Sequence, residues 1–70
     1  MPHFKDGTKA KIGDQVRGKS YNRGGIEEDG ILVQITTESE VCNCRVWFPA
    51  RMGAIEGTDF GEVRAFSLIV

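Results

Sequence analysis

Histidine is almost missing from this chain, and His3 is the single instance. It is the one side chain that titrates near neutral pH unperturbed, and it stands close to a terminus, where a solvated role is expected. Cysteine is scarce as well. Cys42 and Cys44 are too few for a zinc site, which needs about four ligands. As residues i and i+2 of a strand, their Cα atoms would stand about 6.5–7 Å apart, a poor separation for a disulfide. Two buried, reduced, metal-free thiols are therefore expected, and no cofactor.

Long apolar runs are missing too. No stretch exceeds about four apolar residues, against the roughly 20 that cross a bilayer. The opening Met1-Pro2-His3-Phe4-Lys5-Asp6 has no signal-peptide core, so a cytoplasmic protein is expected. A surplus of positive charge, the usual footprint of a nucleic-acid binder, is also lacking: the net charge is −1. The chain holds no Gly-x-x-x-x-Gly-Lys loop, His-Glu-x-x-His helix or Gly-x-Ser-x-Gly elbow. Asp59-Phe60-Gly61 matches a kinase metal-binding triplet in its letters alone, because 70 residues cannot hold a kinase fold. The expectation is a protein that is not an enzyme.

Glycine, by contrast, is plentiful at nine residues, and between the glycines apolar residues alternate rather than recur at helical spacing. Lys9-Ala10-Lys11-Ile12 alternates before a tight Gly13-Asp14 turn and Val16. Residues 18–29 read as a long polar loop with Gly24-Gly25 at its tip. Gly30–Thr36 is rich in β-branched residues, with Ile31, Val33 and Ile35 assigned to one face and Gln34 and Thr36 to the other. Thr37-Glu38-Ser39-Glu40 has the length of a hairpin connection. The following strand, Val41–Phe48, turns Cys42, Cys44, Val46 and Phe48 to one side and Asn43, Arg45 and Trp47 to the other, and Pro49 ends it. Residues 49–61 have low strand propensity, with at most one helical turn over 50–55. Glu62–Val70 reads as a closing strand that is apolar on both faces. One all-β domain spanning residues 1–70 follows, a small barrel of four to five short antiparallel strands, since closure hides the edges of so short a sheet.

Charge is unevenly spread. Residues 1–25 hold six basic and two acidic side chains, a balance of +4, and residues 26–70 hold three and eight, a balance of −5. The division marks either a basic binding face or acidic and basic strands that neutralise each other.

The order Ile12-Gly13-Asp14-x-Val16, polar loop, Gly30-Ile31-x-Val33-x-Ile35, polar hairpin and Val41-x-x-x-x-Val46-x-Phe48 resembles SH3-like barrels of the KOW and Tudor-like type. The likeness covers residues 10–48. It implies an SH3-like barrel and, as ligands, RNA, ribosomal partners, peptide motifs or modified side chains. Three departures narrow that range, one being that the dense aromatic groove of proline-motif SH3 domains is missing. Glu27, Glu28 and Asp29 stand where an RNA-binding member would carry positive charge, and six aromatic residues leave too few for a methyl-lysine cage once the core is filled. The segment His3–Gly18 is also similar to short proteins of bacteriophages and prophages.

Trp47, Arg45 and Tyr21 are the candidate binding residues, because tryptophan and arginine outside a core concentrate at interaction hot spots. The alternative for Trp47 is a structural cap over the barrel end. The leading expectation is an SH3-like module for a protein or peptide partner, monomeric or weakly dimeric. Its rival is a nucleic-acid-binding barrel using Lys9, Lys11, Arg17, Lys19 and Arg23, with Trp47 or Tyr21 as a stacking platform. A third possibility is a structural subunit docked through its apolar C-terminal strand.

Overall fold

Alternation of side chains, interrupted at one position, accounts for most of the architecture. The structure, a computed structural model, describes residues 2–36 and 42–70. The 37–40 connection and Val41 lie outside the described residues. The strands are β1 (Gln15–Gly18), β2 (Glu28–Thr36), β3 (Asn43–Phe48), β4 (Gly57–Glu62) and β5 (Ser67–Leu68), with a 3-10 turn over Val63–Ala65 before β5. They form one sheet in the order β4-β3-β2-β1-β5, and every pairing is antiparallel. The fold is all-β, and no described helix is long and apolar enough to cross a membrane.

On β3 the expected division holds. Cys44, Val46 and Phe48 are buried, while Asn43, Arg45 and Trp47 face outward. On β2 it does not. Glu28, Gly30 and Leu32 point inward, and Ile31 and Val33 are exposed. The register against β3 slips between Leu32 and Gln34, so Val33 is an extra residue and Ile35 returns to pack on the core. A bulge of this kind exchanges the faces of the strand beyond it. Simple alternation across Ile31, Val33 and Ile35 therefore put two of the three on the wrong side.

Four further expectations are corrected. Lys9–Ile12 is no strand: Lys9 makes a single bridge to His3, and Ile12-Gly13 is a turn. Asp14 closes that turn, its carboxylate accepting from the Lys11 amide at 2.9 Å. Residues 57–62, placed in a region of low strand propensity, form β4 with six pairs to β3, and residues 51–54 make a tight turn bridged between Arg51 and Ala54 rather than a helical one. Glu62–Val70 is not one closing strand, because the 3-10 turn breaks it and β5 keeps two residues.

Phe66 explains two of the strand glycines. Its ring is buried so close to Gly18 of β1 and Gly61 of β4 that a Cβ on either glycine would stand 2.5 Å from a ring carbon. The sheet curls until two strands that are not neighbours meet the same ring. Phe4, Ala10, Val16, Leu32, Cys44, Val46, Phe48 and Val63 complete the core.

Candidate functional site

The outward side chains of β2, β3 and β4 stand in cross-strand rows. Ile31, Trp47 and Thr58 make one row, Gln34, Arg45 and Phe60 the next, and Thr36, Asn43 and Glu62 the third. Val33, at the bulge, adds an exposed aliphatic side chain. Phe60 is 52% exposed, and Tyr21, on the loop beside it, is 69% exposed. The Tyr21 amide donates to the Phe60 carbonyl at 3.5 Å, which holds residue 21 against the open edge of β4. Clefts flank Phe60 on two sides: one is lined by Gln34, Thr36, Asn43 and Arg45, the other by Tyr21, Asn43 and Gly61.

Arg45 lies flat in this surface. Its guanidinium carbon is 3.9 Å from the centre of the Phe60 ring, and its Nη1 donates to Thr58 Oγ1 at 3.0 Å. A cation against an aromatic face is attracted by the ring quadrupole, so the side chain is fixed in place. Asp59, between Thr58 and Phe60, points inward instead. Its carboxylate accepts from the Asn22 amide, the Asn22 side chain and the Phe60 amide at 2.7–2.9 Å. Burial pushes this carboxyl up, but those hydrogen bonds outweigh it and leave the pKa below the ordinary value.

No protein-family model, curated protein or solved structure matches this chain.

The three candidate binding residues thus share one surface. Arg45 and Tyr21 both adjoin Phe60, and Trp47 stands one row away, half-buried between Ile31 and Thr58. Phe60 was missed because its neighbours Asp59 and Gly61 read as loop. The signal available in the sequence was Thr58-Asp59-Phe60-Gly61-Glu62, in which Thr58, Phe60 and Glu62 share a face at period two.

The basic N-terminal residues are not gathered in the same way. Arg17 is paired with Asp29 at 2.6 Å on the exposed surface. Arg23 is an interior residue: with Arg51 it clasps Glu28, whose carboxylate is buried, at 3.0 and 2.8 Å. The same two arginines cross between loops, Arg23 donating to the carbonyls of Pro49 and Ile55 and Arg51 to that of Arg23. Hydrogen bonds from Arg23, opposed by burial and assisted by Arg51, hold the Glu28 carboxyl below its ordinary pKa. Lys19 lines a separate cleft with Lys5, Arg17 and Glu27, while Lys9 and Lys11 are exposed near the first turn.

Cys42 and Cys44 are both free thiols. Cys44 is buried, and burial pushes its thiol up to about 11, which leaves it protonated and unreactive. Cys42 is half-buried against the core rather than enclosed, because it lies just before β3 begins. Among the described residues no cluster of three or more histidine, cysteine or carboxylate side chains could hold a metal.

Proposed function

We propose that this protein is a non-enzymatic SH3-like interaction module that binds a protein or peptide partner on the outer face of β2–β4. The carrying observation is the grouping of Tyr21, Phe60, Arg45, Trp47, Ile31 and Val33 on one side of the sheet. An exposed patch of aromatic, aliphatic and arginine side chains has the composition of an interaction hot spot. The antiparallel order in which β5 returns to pair with β1 supports the SH3-like part of the reading, and two free thiols suit a cytoplasmic setting.

Panning a random dodecapeptide library against the immobilised protein tests this directly. Enrichment of related peptides by the wild type, lost in Phe60→Ser with the thermal midpoint preserved, is expected. Equal enrichment by both proteins would move the site elsewhere. The nucleic-acid alternative is tested in parallel with a mixed single-stranded RNA and DNA pool. Tight binding to that pool, weakening steeply with salt through counterion release, would replace the peptide reading.

A further inference from the structure

The outer face also carries a charge pattern that specifies its partner. Among the described residues, four of the five arginines meet a carboxylate: Arg17 meets Asp29, Arg23 and Arg51 meet Glu28, and Arg64 meets Glu62. Arg45 is the fifth. Two of those pairs, Arg17–Asp29 and Glu62–Arg64, place their β1, β2 and β4 members on the same outer face. Arg45, outward on β3, is the one arginine without a carboxylate partner among the described residues, and Lys5 and Lys19 stand apart from it beside Arg17 in a separate cleft.

We infer that the face takes a polypeptide segment in which a glutamate or aspartate lies beside large apolar side chains, the carboxylate meeting Arg45. This rests on the outer face being the binding surface. Three features support the assignment. The Phe60 ring and Thr58 hold the guanidinium in place, so little of its freedom remains to be lost when a carboxylate arrives. The planar fork offers paired donors that match a carboxylate. Tyr21 on one side, with Ile31 and Val33 on the other, offers apolar surface within a residue or two of that charge along a bound strand. The geometry disfavours a nucleobase at Phe60, because Arg45 already occupies one face of the ring. Basic segments are disfavoured by the same positive charge.

Three synthetic nonapeptides, Gly-Ser-Leu-X-Phe-X-Leu-Ser-Gly with X as glutamate, glutamine or lysine, supply the test. Binding is followed by amide shifts in two-dimensional NMR spectra of the labelled protein. The glutamate peptide is expected to shift the amides of residues 21, 43–47 and 58–62 and to bind about tenfold or more tightly than the glutamine peptide. That advantage should shrink with salt and vanish in Arg45→Gln, while Arg45→Glu should come to prefer the lysine peptide. Equal affinity for the glutamate and glutamine peptides at the same residues would overturn the inference and leave the binding surface standing. Shifts confined to the cleft of Lys5 and Lys19 would overturn both.

Discussion

Gly30 is the residue whose replacement the fold tolerates least for its size. A Cβ there would meet the Trp47 carbonyl oxygen at 2.5 Å and side-chain carbons of Val46 and Phe48 within 3 Å. The nearest of these is backbone and cannot rotate away. Gly30→Ala is expected to lower stability by about 3 kcal/mol, the upper end of the overpacking range, as a drop in the urea midpoint. An unchanged midpoint would mean that β2 and β3 lie farther apart than described. Asp14→Ala is expected to cost on the order of 1 kcal/mol, because the Lys11 amide then loses its acceptor in an exposed turn.

At the scale of elements, the crossed arginines decide how the two long loops behave. Glu28 joins loop 19–27 to loop 49–56 through Arg23 and Arg51. Its folded pKa lies below the ordinary glutamate value of 4.5, so the folded state binds this proton less readily than the unfolded chain. The stabilisation is then fully present above pH 4.5 and is lost as the pH falls through the lower, folded value. Asp59 contributes with the same sign from its ordinary value of 3.8. Thermal midpoints should be flat from pH 7 to 5 and decline below about 4.5, less steeply in Glu28→Gln. A midpoint that rises on acidification would contradict the clasp. Glu28→Ala itself should cost about 3 kcal/mol, since it leaves Arg23 without its carboxylate inside the protein.

The C-terminal element divides similarly between its residues. Phe66 is in the core and Leu68 packs on it, the Ile69 amide donates to the Gln15 carbonyl, and Val70 is fully exposed. Removing residues 66–70 should therefore unfold the protein, because truncating one buried phenylalanine costs about 3–5 kcal/mol in a chain whose whole stability is of similar size. Removing Val70 alone should leave the midpoint unchanged. Dispersed amide signals from the five-residue truncation would assign this segment to a partner instead.

Across the whole molecule, the parts legible in the sequence are those where local pattern and tertiary contact agree. β3 is the clearest case: Cys44, Val46 and Phe48 alternate without interruption and are buried in that order. β2 misleads because its bulge at Val33 depends on the partner strand, and nothing in Gly30–Thr36 announces it. β4 is hidden because Gly61 reads as turn chemistry, whereas the ring of Phe66 excludes any side chain there. Trp47, Arg45 and Tyr21 could be named from residue type alone, but Phe60, which joins Arg45 to Tyr21, needed the strand that its glycines disguise. For the basic N-terminal segment, which the sequence left open between a binding face and neutralising strands, Arg17 and Arg23 each pair with a carboxylate of β2. Arg23 carries its charge into a buried pair with Glu28, five residues away in sequence but joined to a second loop by Arg51.

The account turns on where a partner touches this molecule. A peptide enriched by panning, titrated into the labelled protein, would report that by its amide shift map. Changes concentrated at Tyr21, Asn43–Trp47 and Thr58–Glu62, and abolished by Phe60→Ser, are the predicted result. Changes centred on Lys5, Arg17 and Lys19 instead, with the outer face silent, would contradict it.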